Sequence, residues 1–292
     1  MSLKEELKSR KPNLSNLSLI AYASTLRNLY KAVFDDKPIK LKNFDNTEKI
    51  LDHLKDKPAS KRKSILAALI AMTDNDKYKE LMKRDINEYN EFVRTQKKTK
   101  TQEENWVDKE QIDKVYNEAE TKAKALYKKA NPTMKDLQEI QNHIILALTT
   151  GKHIPPRRLL DYTEFKIKGV DKSKHNYYDK GTLVFNRFKG SDEKEPQRIV
   201  APRKLQAIMR KWIETNPTDH LLFDNKGGEL KNTQLTQRLN KIFGGKISVN
   251  AIRHTYLTDK YGDTIKRAKE IKETMEEMGS SANMLKNYVK EE

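Results

Sequence analysis

Residues 249–256 read VNAIRHTY, in which an Arg-His pair lies among apolar residues at helical spacing. Near the C-terminus it is followed by MGSS at 278–281 and then by Tyr288. Two further basic anchors precede it, Arg158 in PPRRLLDY (155–162) and Lys189 in NRFKG (186–190). Their side chains, with those of Arg253 and Tyr288, are the candidates for chemistry in this chain.

The charge of the chain indicates a polyanionic partner. The 292 residues include 59 Lys and Arg against 42 Asp and Glu, a net charge of +17. A field of this sign favours nucleic acid, although a lysine-rich surface that serves only solubility is the alternative. No apolar run approaches the roughly 20 residues of a bilayer crossing, so we expect no membrane partner.

The composition also narrows the chemistry. Cysteine is absent, which excludes disulfides, thiol catalysis and thiolate metal sites. The six histidines are scattered, and His153 beside Lys152 and Pro155 has no further ligands near it in the sequence. We therefore expect that the protein binds neither a metal nor a cofactor. The absence of cysteine also fits an intracellular protein.

The first third of the chain predicts a small helical bundle. Apolar residues recur at helical spacing in four segments, 19–33, 50–54, 58–72 and 76–92. Residues 96–105 (QKKTKTQEEN) contain no apolar side chain and are interpreted as an extended linker. Its Lys97, Lys98 and Lys100 could lie along a phosphate backbone. The predicted organisation is a helical domain at 1–96, a basic linker at 97–105 and a second domain at 106–292.

The second domain predicts helices around a small β-hairpin. Helices are expected at 112–128 and 134–148, and another, containing Arg157 and Arg158, after Pro155-Pro156. Strands at 182–188 and 197–200 flank a turn-like segment, which is typical of a hairpin. Helices at 205–213 and 232–243, a helix around Arg253 and two short helices complete the chain. The predicted fold class is mainly α with a small β-hairpin or sheet.

Metal-free cleavage of a phosphodiester needs the side-chain types named above. Arginines hold the negative charge that grows on the non-bridging oxygens, because their planar fork binds phosphate in a bidentate manner. A lysine can donate a proton to the leaving 5′-oxygen. A tyrosine hydroxyl can attack phosphorus and keep the bond energy in a covalent product. Each residue alone has an ordinary structural explanation, and only their joint occurrence in this order indicates catalysis.

These motifs resemble those of the tyrosine recombinases, the phage-integrase family, over nearly the whole chain. Arg158 and Asp161 match the family's first arginine and the acid three residues later, with Arg157 as a rival for the arginine. Lys189 matches the lysine of its hairpin turn. The sequences of these motifs are most similar to those in integrase-like proteins of large eukaryotic DNA viruses, virophages and related mobile elements.

The C-terminal motifs match the family with two departures. Arg253 matches the arginine of the second box, where Asn250 replaces His or Lys, and Tyr288 matches the nucleophile, with Ser280 in place of the third-box histidine. Asn250 and Ser280 can donate hydrogen bonds to phosphate, although Asn250 cannot transfer protons. His254 either holds neighbouring backbone or contributes to DNA binding.

The resemblance implies a helical DNA-binding domain and an α+β catalytic domain that clamp double-stranded DNA. It further implies a 3′-phosphotyrosyl intermediate, no cofactor, and a homotetramer on two DNA sites. If the protein is viral, its place is the nucleus or the viral factory of the host cell. Two alternatives remain open: a type IB topoisomerase-like enzyme, and a DNA-binding relative that has lost catalysis.

Overall fold

The computed structural model describes residues 2–35, 38–191 and 194–290, which form a mainly α-helical protein with one small sheet. This confirms the predicted fold class. The chain divides between Lys98 and Thr99 into two compact units. None of the helices in the described residues combines the length and the apolarity that a bilayer crossing needs.

The first unit is built from helices around one core. They are α1 (Leu3–Arg10), α2 (Asn16–Phe34), a 3-10 helix (Leu41–Asp45), α3 (Thr47–Leu54), α4 (Ala59–Thr73) and α5 (Asp76–Arg94). Four of them correspond to the predicted helices, and α1 was not predicted. Tyr30 and Tyr78 are buried in the core, where the Tyr78 hydroxyl donates to the Phe44 carbonyl at 2.7 Å.

A buried ion pair joins α4 to α5. Asp85 is fully buried, and the Arg62 guanidinium donates to both of its carboxylate oxygens at 2.6 to 3.2 Å. Arg62 Nη1 also donates to the Lys57 carbonyl at 2.6 Å. Since each charge is out of water, removing either partner leaves the other uncompensated.

The segment predicted as an extended linker is partly helical. Residues Lys100–Glu104 form α6, whose N-cap Thr99 accepts a hydrogen bond from the Gln102 amide. The Gln102 side chain in turn accepts from the Thr99 amide at 2.8 Å, which completes a capping box. The extended conformation was therefore wrong, because the TKTQ sequence stabilises a helix start despite lacking apolar side chains.

The second unit surrounds its sheet with helices. Its elements are α7 (Lys109–Leu126), α8 (Met134–Thr149), α9 (Leu159–Thr163), β1 (Phe165–Lys166), β2 (Asn176–Asp179), β3 (Thr182–Phe185), β4 (Gln197–Val200), α10 (Arg203–Thr215), α11 (Asn232–Phe243), α12 (Val249–Glu277), a 3-10 helix (Ala282–Met284) and α13 (Leu285–Tyr288). The core includes Tyr162, Phe185, Trp212 and Phe223, all fully buried.

The sheet has the strand order β1-β2-β3-β4. β3 and β4 pair antiparallel, with Phe185 opposite Gln197, in the predicted hairpin. β2 was not predicted, although it pairs antiparallel with β3 and parallel with β1. The connection from β3 to β4 therefore carries Lys189 at the end of the hairpin.

The helix around Arg253 is much longer than its apolar pattern indicates. α12 runs for 29 residues without interruption. Residues 257–274 are all exposed except the half-buried Gly262 and Ile271. Ion pairs between Lys269 and Glu273 and between Lys272 and Glu276, each at 3.6 Å, support the helix along its own surface. The second half of α12 thus extends away from the core of its unit, and the two short elements follow it.

We predict that Asp85→Asn lowers the free energy of unfolding by about 3 kcal/mol, because it leaves the Arg62 charge buried without its partner. Urea unfolding of the full chain, followed by circular dichroism, measures the change. Glu88→Gln is the matched control, since Glu88 is 65% exposed and lies 3.7 Å from the same guanidinium; it should change stability by less than about 0.5 kcal/mol. Equal losses in the two variants would contradict this account.

Candidate functional site

A cationic pocket of about 300 Å³ lies in the second unit. Arg158, Lys189 and Arg253, predicted from three separate motifs, line it together. Among the residues that the structure describes, the lining consists of Pro155, Pro156, Arg157, Arg158, Asp161, Phe188, Lys189, Lys194, Gln197, Ile199 and Arg253. Five of these side chains are basic and one is acidic. The loop before α9, the hairpin and α12 therefore bring an excess of positive charge to one place.

Arg157 is the arginine that the fold holds rigidly. Its Nε donates to Asp161 Oδ2 and its Nη1 to Gln197 Oε1, both at 2.7 Å. Its guanidinium also lies over the Phe185 ring, 4.0 Å from the centroid. Sequence reasoning matched Asp161 with Arg158, but the carboxylate pairs with Arg157. Arg157 thus connects the loop to both strands of the hairpin.

Arg158 is exposed and serves as the N-cap residue of α9, with φ −73° and ψ 155°. The prediction that both arginines lie inside a helix was therefore wrong. Pro156 disfavours a helical backbone at Pro155, and Arg158 itself is still extended, so the helix begins only at Leu159. This places Arg158 at the lining of the pocket.

Asp161 sets the electrostatics of the pocket. It is buried, and its Oδ1 has no hydrogen-bond partner among the described residues. Burial raises the pKa of this carboxyl, while the charges of Arg157, Arg158 and Arg253 oppose the rise. All three arginines thus lie close enough to interact with the carboxylate, which offsets only part of their charge.

Two contacts fix the loop that carries the arginines. Gly151 has φ +83°, and a Cβ there would lie 2.2 Å from the Tyr256 ring of α12, so the position requires glycine. Further on, His153 Nε2 lies 2.8 Å from the Tyr116 hydroxyl, which is 3.2 Å from His143 Nε2. Sequence reasoning weighed His153 only as a metal ligand and missed this role.

Arg253 lies in the second turn of α12, whose N-cap Ser248 accepts from the Ala251 amide at 3.2 Å. Its Nη1 donates to Asn250 Oδ1 at 3.4 Å, so these two predicted residues are neighbours. The adjacent Ile252 is fully buried and anchors the helix. His254 is exposed, which does not fit a role in holding the backbone.

The hairpin connection contributes two lysines. Lys189 is exposed and follows Phe188, which is only 8% exposed and anchors the connection. Lys194, also exposed, lies on the same connection and was not singled out from the sequence. Its position between the same two predicted strands as Lys189 could have identified Lys194 as a further candidate.

Tyr288 and Ser280 are not brought to the pocket. No described residue beyond Arg253 lines it. Tyr288 is 57% exposed in α13, and the Ser280 amide donates to the Met275 carbonyl at 2.8 Å near the far end of α12. Lys97, Lys98 and Lys100 are exposed at the division between the two units. In the described residues no three His, Asp or Glu side chains are grouped as metal ligands.

Comparisons with known proteins give limited matches. Residues 63–159 match a family of unknown function (DUF5824), which is less than half of the chain. Lambda integrase, in a dimer of its residues 75–356 bound to a COC′ core site, aligns with a TM-score of 0.47 and 13% identity, covering 91% of each chain. Lambda integrase residues 75–356 bound to DNA align with a TM-score of 0.48 and 16% identity, covering 91% of this chain and 89% of that one. No curated protein sequence matches the chain.

We predict that Arg157→Ala lowers the free energy of unfolding by about 3 kcal/mol, because it leaves the Asp161 carboxylate buried without its partner. Arg158→Ala, one residue along, should change it by less than about 0.5 kcal/mol, since Arg158 is exposed. Chemical denaturation of both variants beside the unaltered chain provides the measurement. A larger loss for Arg158→Ala would show that the two arginines have been assigned in the wrong order.

Proposed function

We propose that the cationic pocket binds one phosphate of double-stranded DNA and that the chain is a DNA strand transferase of the tyrosine type. The observation that carries the proposal is the charge of the pocket: its described lining has five basic side chains and one carboxylate, which is already paired with Arg157. Arg158 and Arg253 line the same pocket from different elements, so each guanidinium can donate to a different non-bridging oxygen of one phosphate. The net charge of +17 supports a long polyanion.

The proposed reaction begins when the Tyr288 hydroxyl attacks phosphorus. A bond forms between its oxygen and phosphorus, and the bond from phosphorus to the 5′-oxygen breaks. The phenol releases its proton to solvent water, the leaving 5′-oxygen takes a proton from the Lys189 ammonium, and solvent water reprotonates Lys189, so the protons and charges balance without a metal. Arg158 and Arg253 stabilise the charge on the non-bridging oxygens. The free 5′-hydroxyl of a partner strand then displaces the tyrosine, which yields recombination.

The proposed roles of the remaining residues follow from their places. Asn250 contacts Arg253 and is positioned to donate a neutral hydrogen bond to phosphate, while Arg157 holds the pocket in shape. The exposed Lys97, Lys98 and Lys100, together with His254, are proposed to bind the DNA backbone. The proposed assembly is a homotetramer on two DNA sites, in which residues 1–96 form a DNA-binding domain.

A catalytically silent DNA-binding protein is the second candidate. Two observations favour it: Tyr288 does not line the pocket, and Asn250 and Ser280 stand where the family has proton-transferring side chains. A type IB topoisomerase shares the proposed chemistry but religates the same strand. A Holliday junction made from two DNA sites would separate recombination from that reaction.

We predict that Tyr288→Phe abolishes covalent attachment to DNA and leaves duplex affinity nearly unchanged, because the ring is kept and only the nucleophilic oxygen is lost. The probe is a pool of nicked duplexes of random sequence, in which the short cleaved fragment diffuses away and traps the adduct. Denaturing electrophoresis separates adduct from free protein, and a filter-binding titration gives the affinity. Tyr178→Phe is the matched control, since Tyr178 lies in β2, outside the pocket. An adduct that persists in Tyr288→Phe would refute the assignment of the nucleophile.

We predict that Arg253→Ala reduces the rate of adduct formation by about 10²- to 10³-fold, because one fixed cation at the developing charge is lost. Affinity for the same duplex pool should fall only slightly, since one phosphate contact among many is removed. Single-turnover kinetics with saturating DNA measures the rate. Arg267→Ala, an exposed arginine on the second half of α12, is the control for charge alone. Equal effects of the two variants would remove Arg253 from the reaction.

A further inference from the structure

The end of α12 separates the proposed nucleophile from the pocket of its own chain. Met275 lies 22 residues beyond Arg253, which is about 33 Å along a continuous helix. Met275 is buried, its carbonyl accepts from the Ser280 amide, and the 3-10 helix Ala282–Met284 packs against α12. Tyr288 follows in α13, which continues directly from that 3-10 helix. The segment that carries the tyrosine is thus attached to the far end of the helix.

The intervening part of α12 has an uncovered apolar side. Leu257, Tyr261 and Ile265 recur every four residues and are 45 to 52% exposed. A helix of this length that exposes such a stripe gains little stability by itself, because most helical stability in proteins comes from packing an apolar face. Met284, Tyr288 and Val289 are also 43 to 62% exposed. The second half of α12 and the segment that carries Tyr288 thus present exposed apolar side chains that no described residue covers.

On the basis of the proposed function, we propose that Tyr288 acts in the pocket of a second copy of this chain. The described lining of each pocket supplies cations but no nucleophile, and each chain has an exposed tyrosine in the segment that follows an exposed helix. A second copy of the chain accounts for both observations. It supplies a pocket that the tyrosine can enter and a surface against which the apolar stripe can pack. The active site is therefore shared, with Arg158, Lys189 and Arg253 from one copy and Tyr288 from the other.

The alternative is a bend within α12 that returns Tyr288 to its own pocket. Gly262 lies in the middle of the exposed half and is the position where such a bend costs least. Only the shared site allows two inactive variants to restore one another, so the two arrangements can be separated by mixing.

The test mixes Tyr288→Phe with Arg253→Ala, each inactive alone, on the nicked duplex pool. Random pairing of two copies gives half mixed pairs with one complete site each, so the adduct should reach about a quarter of the level of the unaltered chain. A size tag on one variant identifies the attached chain, which should be Arg253→Ala, the one that retains its tyrosine. Arg158→Ala in place of Arg253→Ala should give the same result and guards against a misfolded partner.

The outcomes are distinct. No adduct from the mixture, while the unaltered chain forms one, overturns the shared site and supports the bend in α12. No adduct from the unaltered chain overturns the proposed function itself.

A second measurement examines the apolar stripe. Ile265→Glu should reduce adduct formation by the unaltered active site about tenfold or more, because a charge is placed in the contact between copies. Thr274→Glu carries the same charge nine residues further, about half a turn away around the axis, and should have little effect. Equal rates for the two variants would overturn the contact between copies.

Discussion

The second unit depends on one buried carboxylate. Asp161 is 5% exposed at its side chain and pairs with Arg157, which in turn contacts Gln197 and the Phe185 ring. Without this carboxylate, several guanidinium groups would face one another in a partly desolvated space. With it, the loop before α9, the hairpin and the start of α12 can meet at one pocket. The carboxylate offsets only part of the charge, and the excess is what makes the pocket suitable for phosphate.

The same arrangement separates structural from chemical roles between adjacent residues. Arg157 is committed to internal contacts, and Arg158 is exposed at the end of an extended segment. Rigid contacts on Arg157 fix the backbone that presents Arg158, so only the side chain of Arg158 has to be ordered when the proposed phosphate binds. Gly151 and the contact of His153 with Tyr116 hold the start of this loop in the same way.

The sequence predicts which residues line the pocket better than it predicts the length of α12 and the position of Tyr288. Arg158, Lys189 and Arg253 could be found because each belongs to a local motif, and the hairpin follows from two runs of β-forming residues. The ion-pair partner of Asp161 could not be predicted, because spacings of three and of four residues both suit an ion pair near the start of a helix. Nor could the length of α12, because its second half is mostly charged and has only a sparse apolar stripe, Leu257, Tyr261 and Ile265, that is exposed and belongs to no core. The length of α12 determines where Tyr288 lies, so the proposed mechanism depends most on the element whose length the sequence predicts least well.

The proposed reaction joins a tyrosine beyond α12 to DNA at a phosphate held by the cationic pocket. Its most direct test is mass spectrometry of the adduct from the nicked duplex pool after nuclease and protease digestion. The account predicts a nucleotide attached through its 3′-phosphate to the peptide that contains Tyr288. A nucleotide on any other residue, or attachment through a 5′-phosphate, would contradict it.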